Sequence, residues 1–597
     1  MHAHRGRRRP TGLVSGGLLA LALLAPAAGR ADCRVKVAEL PVHMVGMRAM
    51  TTVGINGHDV PLFVDTGAFF SFLNEAAASQ LELPTHREPE LRVKGLVGSV
   101  KVRLTTVEHL KLSKGSLTNV DFIVGGNEMG SGSMGLLGRN LLNFADTEYD
   151  LAHGMIRFVF PGDDCEKTNM AYWVDDLSTV ARVDLLHDGD REFNRQPLRA
   201  TAKLNGKEID VLFDTGATTT VSLDAAKKAG LKEMDMTPDA DMYGAGLGTA
   251  RQWTASFDRF ELGGEQINHN RLEVADFEMN DADMLVGIDF FLSHHIYVSA
   301  QQRRMYFTYN GGPVFMLNKA EHAGAAAAAS GAAEAFDADA WLRRGAASRA
   351  RGDFAGALAD LDRACALAPE NAMCFTARAS AHEGLKHATA ARADLDTALR
   401  LDSRLADARI RRAWMLHEDD QPDAALADLD ELDRTLTPQS QIRASMADLF
   451  SALHLPARVV AQLDPWLQFH PHDIGRPDAY DERCWSRVQL NVALDKALAD
   501  CDAAIDLDDR TPTFVDSRGW VRLRLGQWAK AKSDFDKALA KSPEPTSSLY
   551  GRSIALARLG NAGASQADLA AVRRLRPDIE EEMRKRGLSA DQFGSLP

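Results

Sequence analysis

Beyond Arg34 the sequence lacks any apolar run long enough to span a bilayer, which takes about 20 residues, and so reads as a soluble mature chain. It lacks an excess of positive charge: 69 basic residues stand against 83 acidic ones, the net charge is -14, and no basic stripe offsets it. That excludes a general nucleic-acid binder and names no partner. It lacks HExxH, CxxC and Walker-type loops, which removes the usual signatures of zinc hydrolases, dithiol redox centres and P-loop nucleotide enzymes. The adjacent histidines His294-His295 read as a core or surface pair, so no metal and no cofactor is expected. Cysteines are few, six in 597 residues, and neither Cys33 nor Cys165 has a histidine at the spacing a thiol nucleophile needs.

What is present begins at the N-terminus. A basic stretch, His4 to Pro10, precedes an apolar one, Gly12 to Ala28, and small residues follow up to Ala31. This order predicts a signal peptide over residues 1–31, cleaved after Ala31, and a protein delivered to a periplasm or secreted, by the general or the twin-arginine route. In such a compartment the cysteines are expected to pair. Placement points to Cys33 with Cys165, which bracket the first domain, to Cys365 with Cys374 across a helix–helix turn, and to Cys484 with Cys501 on neighbouring helices.

A chain of 597 residues exceeds one core, and it is internally repeated. In VPLFVDTGAFFSFLN (Val60 to Asn74) an Asp ends an apolar run and precedes Thr-Gly; IDVLFDTGATTTVSL (Ile209 to Leu223) does the same. The offset of 149 that carries Asp65 to Asp214 also carries Asn56-Gly57 to Asn205-Gly206, Gly95 to Gly244, Gly138 to Gly287 and Phe158 to Phe307. This is a duplication, with no net insertion between the copies. Each copy reads as β-rich: an Asn-Gly turn, an apolar strand (Val60 to Val64; Ile209 to Phe213), the Asp-Thr-Gly turn, another strand and a short helix (Asn74 to Leu81; Leu223 to Ala229). The alternation in Val100 to Leu112 predicts a half-buried antiparallel strand. The copies differ just after the motif, with Phe69-Phe70 in one and Thr218-Thr219 in the other.

The motifs DTGA at Asp65 to Ala68 and at Asp214 to Ala217, each followed at equal distance by two apolar residues and Gly (Leu136-Leu137-Gly138; Leu285-Val286-Gly287), resemble the retropepsin-like aspartic proteases over about residues 32–315. The resemblance implies two lobes, 32–168 and 169–317, packed about a pseudo-twofold axis, with the catalytic pair Asp65 and Asp214 contributed by one chain. Two close carboxyls share a proton, so one serves as base toward a water while the other polarises a scissile carbonyl. It further implies that Thr66 and Thr215 cross-bond beneath the pair, that Gly67 and Gly216 admit backbone N–H groups to the carboxylates, and that Leu137-Gly138 and Val286-Gly287 are structural. Gly95 in KGLVGS, and Tyr243-Gly244 in MYGAGLGT, fall where the family places its flaps, as substrate-binding residues. Ala68 and Ala217 stand where pepsin-like relatives carry Ser or Thr; losing that hydroxyl donor favours a pH optimum nearer neutral. The substrate implied is a peptide or protein.

Residues 318–336 are a low-complexity Ala/Gly linker. Beyond it LADLDRA (Leu358), RADLDTA (Arg392) and LADLDEL (Leu426) recur at steps of 34. LADCDAA (Leu498), KSDFDKA (Lys532) and SQADLAAV (Ser565) continue the series, with VVAQLDPWL (Val459 to Leu467) as its degenerate member. With small residues and Pro at matching positions (Gly345, Ala357, Pro369; Gly519, Ala531, Ala538, Pro543), this resembles tetratricopeptide repeats. About seven are expected over 337–597, with a polar closing helix near Ile579 to Arg586. Such solenoids present a groove to peptides or partner proteins; a spacer that binds nothing is the competing reading. The expected fold class is therefore multidomain, with an all-β bilobal acid-protease-like N-terminal half and an all-α repeat solenoid. The expected function is an exported aspartic endopeptidase whose repeats dock substrate or partner; the alternative is a non-catalytic peptide-binding scaffold of the cell envelope. Two intact Asp-Thr-Gly triplets favour the enzyme.

Overall fold

The computed structural model describes residues 33–593 except 96–97, 126–131, 188–195, 244–248, 278, 280–281, 316, 318–335 and 543–545. The expected signal peptide and all of the expected linker except Phe336 lie outside the described residues, as do Gly244 and Pro543. The described residues form two compact units, one comprising 33–125 and 133–394, the other Gly132 and the residues from Leu395 onward.

The N-terminal half of the first unit is built from three sheets. Each copy of the duplicated segment makes one mixed sheet, of eight strands in the first copy and seven in the second. In both, the strand that ends on the motif Asp is central. His58–Val64 pairs antiparallel with Arg48–Ile55 and parallel with Gly135–Leu137; Lys207–Phe213 pairs in the same two ways with Arg199–Leu204 and Met284–Val286. Alternate residues of each strand share one face, and that face is in the core: Val60, Leu62, Val64, Ile209, Val211 and Phe213 are all buried. The third sheet is antiparallel and shared. Its middle pairing joins Asp146–Asp150 of the first copy to His294–Ser299 of the second, with Tyr149 opposite Ile296. Short helices α1 (Glu75–Gln80), α2 (Arg139–Leu142), α3 (Leu223–Lys228) and α4 (Ile288–Ser293) close the lobes.

The offset between copies is uniform only in sum. Asn74 caps α1 as Ser222 caps α3, 148 residues on, whereas the long hairpin strands end at Leu112 and Leu262, 150 apart. The first lobe has one more residue after its Asp-Thr-Gly-Ala, and the second gains two before the offset returns to its original value.

The helices after residue 337 come in pairs. The first unit holds α5 (Ala338–Ala350), α6 (Phe354–Leu367) and α7 (Ala372–Gly384), and α8 (Ala388–Leu401) crosses its boundary. The second holds α9 (Ala406–Glu418), α10 (Pro422–Thr435), α11 (Ile442–Ala452), α12 (Pro456–Phe469), α13 (Arg476–Leu490), α14 (Leu494–Leu507), α15 (Pro512–Arg524), α16 (Trp528–Lys541), α17 (Thr546–Arg558), α18 (Ala562–Leu575) and α19 (Ile579–Lys585). Every recurrent Asp-rich segment falls on the second helix of a pair. Its two acidic positions have different jobs. Arg378 of α7 grips Asp394 of its own pair with two bonds of 2.8 and 2.7 Å, and Asp362 of the preceding pair with one of 2.8 Å. Arg412, Arg483, Arg518 and Arg552 repeat the pattern, on Asp428 and Asp396, Asp500 and Asp464, Asp534 and Asp502, and Asp568 and Asp536. The Asp-x-Asp spacing thus threads a ladder of charge-assisted bonds within and between pairs.

Two expectations need correction. The lobes do not stop at the linker: Ala346 and Ala347 of α5 are buried in the lobes' own apolar core. Arg349 donates to the Met44 carbonyl at 3.1 Å and Arg351 to the Leu292 carbonyl at 3.3 Å. Gly154, at φ 66°, lies so close beneath Arg343 that a Cβ there would collide with it. The first helix of the array, α5, therefore packs as part of the lobes' core. Second, Cys33–Cys165 and Cys484–Cys501 are disulfides, but Cys365 and Cys374 are free thiols. They are buried with Ala364 beside Trp341, Leu342 and Phe375, each filling space as a small apolar side chain, the usual behaviour of an interior cysteine.

Candidate active site

The two apolar strands deliver Asp65 and Asp214 to one place. Each leaves its sheet as its strand ends, with the Asp65 N–H donating to the Leu137 carbonyl and the Asp214 N–H to the Val286 carbonyl, both at 3.0 Å. The apolar-Gly motif is thus the neighbouring strand on which the loop is seated. Beneath the carboxyls the threonines interlock. The Thr66 N–H donates to Thr215 Oγ1 at 3.0 Å, and the Thr215 N–H to Thr66 Oγ1 at 2.9 Å. Their hydroxyls donate across the lobes to the carbonyls of Phe213 and Val64, both at 2.9 Å. Both threonines are fully buried. Four such bonds in a dry setting cost about 1–3 kcal/mol apiece to leave unmade, so the lobes are held in one register.

The carboxyls share a hydrogen bond. Both aspartates are half-buried. Asp65 Oδ1 accepts from the Ala68 N–H and Asp214 Oδ1 from the Gly216 N–H, both at 2.8 Å. A Cβ on Gly67 would overlap the Asp214 carboxyl and one on Gly216 the Asp65 carboxyl, so only glycine fits at either position. Gly138 and Gly287 are equally constrained, the first by the backbone of Phe70 and Ala68, the second by that of Ala217 to Thr219.

Burial is the main cause that pushes Asp214 up to about 8, and the charge of Asp65 adds to it. Asp65 is also raised by burial, against the pull of the Ala68 N–H, the bond from Asp214 and the Gly67 N–H. Asp214 thus keeps its proton at neutral pH beside Asp65, and the pair does not ionise fully there.

Several supporting residues are not evident from the motifs. The Ser71 hydroxyl accepts from the Gly138 N–H at 3.0 Å and donates to Asn140 at 2.8 Å. In the second lobe Thr219 does the same between Gly287, at 2.9 Å, and Asp289, at 2.6 Å. Asn140 and Asp289 obey the copy offset and could have been found by it; Ser71 and Thr219 do not, because the extra residue in the first loop displaces them. Arg139 is the other addition. It is only 6% exposed, its Nε and Nη1 have no hydrogen-bond partner among the described residues, and its charge acts on both carboxyls while burial lowers its own pKa.

Gly95 ends the strand His86–Gly95, paired with Gly98, and Tyr243 ends the strand Thr237–Tyr243, paired with Thr249. Both hairpins expected of the flaps exist, and their tips lie outside the described residues. The histidine pair is interior: His294 meets the Phe290 carbonyl and Glu265, and His295 bonds Glu148 at 2.8 Å while stacked on Trp173. Among the described residues no group of His, Cys, Asp or Glu is arranged to hold a metal ion.

Residues 51–143 match the family model described as "gag-polyprotein putative aspartyl protease", and residues 200–290 match that of aspartyl protease. Each match contains one Asp-Thr-Gly with its apolar-Gly strand. No curated protein matches the chain. Solved structures similar to it include a tetratricopeptide repeat protein from Parabacteroides merdae, at 15% identity over 42% of this chain and 98% of that one, with a TM-score of 0.30. The APC/C hetero-tetramer Cut9–Hcn1 matches at 13% identity over 43% and 50%, with a TM-score of 0.31. YrrB, a TPR protein with an unusual peptide-binding site, matches at 15% over 38% and 97%, with a TM-score of 0.23. The chain carries two aspartyl-protease domains in its N-terminal half and tetratricopeptide-type helix pairs in its C-terminal half.

Proposed function

We propose, starting from two aspartyl-protease domains joined to a repeat array, that this protein is an exported aspartic endopeptidase whose repeats dock a polypeptide partner or substrate. The observation that carries the reading is the hydrogen-bonded pair Asp65 and Asp214, seated on the interlocked Thr66 and Thr215. The ionised member takes a proton from a water whose oxygen attacks the peptide carbonyl carbon. The protonated member hands its proton to the carbonyl oxygen. The resulting diol collapses as the pair gives its proton to the departing amide nitrogen and takes one from a diol hydroxyl; the C–N bond breaks, the carboxyl product forms, and the pair again holds one proton. Burial supports this chemistry by keeping the second carboxyl protonated near neutral pH. Export is supported by the apolar N-terminal stretch and by the two disulfides, which suit an oxidising compartment.

The test is cleavage of a mixed peptide library by the wild type, Asp65→Asn and Asp214→Asn. Each single change is expected to lower turnover by about a thousandfold or more with the fold retained, since neither member works alone. Cleavage at equal rates by all three proteins would refute the assignment.

A further inference from the structure

The last residues of the chain do not simply close the stack of helices. A closing helix needs to cover only the final pair. Here the segment Ile579–Phe593 turns back across the first helices of three successive pairs. On α17 the Tyr550 hydroxyl accepts from the Ala590 N–H at 3.1 Å. On α15 Arg524 donates to the Gly587 carbonyl and, at 3.0 Å, to Gln592, and lies 5.0 Å over the Phe593 ring; Trp520 is 6.1 Å from that ring. On α13 the Gln489 carbonyl faces Gly587, whose φ of 72° makes the turn. Ile579, Met583, Leu588 and Phe593 are buried in one cluster with Val488, Trp520 and Tyr550. The fit is incomplete: a cavity of about 260 Å³ remains between Lys585 to Gly587 and the turn at His454 and Pro456.

The same helix faces continue into a row of carboxylates. Asp516, Trp520 and Arg524 are spaced four apart along α15, and Asp481 and Glu482 lie seven before Val488 and Gln489 on α13, so each set shares a face. Asp448 of α11 and Asp478 complete the row, which is bridged by Ser451 to Glu482 at 2.7 Å. The carboxyls repel one another; burial first, then neighbouring acids, raise Asp448 to about 6, and Asp481 is raised as well. Asp481 Oδ1 is buried without a hydrogen-bond partner among the described residues. The cation that eases Glu482 is Arg586, from the returning segment itself.

We propose that the face formed by α13, α15 and α17 is a peptide groove held shut by the chain's own residues 579–593, and that its external ligand is a polypeptide segment bearing Lys or Arg beside a large apolar side chain. The segment supplies both features now: Phe593 lies against Trp520, and Arg586, paired at 2.9 Å with Glu582 of its own helix, brings its charge within electrostatic reach of Glu482; the acidic row beyond them favours more positive charge than the segment brings. The proposal deepens the reading of the repeats as a docking domain and is independent of the Asp pair.

The test uses the full chain on an Asp65→Asn background, so that binding is read without cleavage. The probe is a fluorescein-labelled peptide with the sequence of residues 577–593. Leu588→Ser with Phe593→Ala should free the groove and bind the probe at least about tenfold more tightly than the parent, by anisotropy. A probe with Glu at the positions of Arg584, Lys585 and Arg586 should bind at least about tenfold more weakly. Equal affinity of a folded double variant and its parent overturns the proposal, as does indifference to the charge reversal. If the double variant does not fold, hydrogen exchange of the unaltered chain decides. Amides of residues 586–593 exchanging at least about tenfold faster than those of α15 support a strap that opens by itself; equal protection overturns it.

Discussion

Arg139 is a buried cation whose charge reaches both carboxyls, in addition to the larger effect of burial. Its guanidinium is buried, with Nε and Nη1 lacking hydrogen-bond partners among the described residues, and faces the charge of both carboxyls; a cation beside a carboxylate favours its ionised form. In the proposed reaction the active state carries one proton. The acid limb of the rate profile then marks loss of the first proton, and the alkaline limb loss of the second, near the value of about 8 to which Asp214 is raised. Since Arg139 lowers Asp65, Arg139→Met should move the acid limb of kcat/KM to higher pH, and the alkaline limb with it. A profile that stays in place or moves to lower pH would show that Arg139 does not act on the pair. The Asp-Thr-Gly triplets were legible in the sequence because their chemistry and backbone geometry admit no other residues. Arg139 was not: the letters Gly-Arg-Asn say nothing of whether the arginine faces solvent or a carboxyl pair. Ser71 was hidden for a different reason, a one-residue surplus cancelled further along.

Among the helices, the strand-like precision of the Asp-x-Asp recurrence has a physical reason that periodicity alone did not disclose. The period of 34 located the pairs and even the degenerate α12, because small residues must recur wherever two helices touch. The arginine partners lie 16 or 17 residues earlier, outside the recurring motif, and became visible only once the helices were folded against each other. Removing one should cost more than a surface ion pair would. Arg552 holds Asp568 with bonds of 2.7 and 2.9 Å and Asp536 with one of 2.8 Å. Arg552→Met is expected to lower the stability of the repeats by about 1.5–3 kcal/mol, as for hydrogen bonds to charged groups, read as a lower urea midpoint by circular dichroism. A change within about 0.5 kcal/mol, typical of an ordinary surface substitution, would mean that the ladder is decorative. The two free cysteines show the converse limit: Cys365 and Cys374 sit where a bridge looked natural, yet sequence proximity does not reveal whether two thiols are oriented to bond or merely to pack.

For the whole molecule, the boundary that matters is not the Ala/Gly stretch. Ala346 and Ala347 complete the core of the lobes, and Arg349 and Arg351 satisfy carbonyls at Met44 and Leu292. A chain ending at residue 336 should therefore expose apolar surface and unmade bonds. It is expected to melt well below a chain ending at Lys386, which keeps α5, α6 and α7, and to lose peptide hydrolysis with its fold. Equal melting temperatures would show that the first pair is a passenger. The bilobal architecture itself was readable, because a duplication with matched turns predicts two like sheets. The helix that finishes their core was not, since its alanines carry no mark that distinguishes a partner in the next helix from one in a β-sheet.

The surplus residue after Ala68 has one more result. Two identical halves related by a twofold axis would present the same walls to a polypeptide entering in either direction. With Phe69-Phe70 following one Asp-Thr-Gly-Ala and Thr218-Thr219 the other, that equivalence is gone, and in the proposed reaction the direction in which a strand of substrate runs becomes a choice the molecule can make.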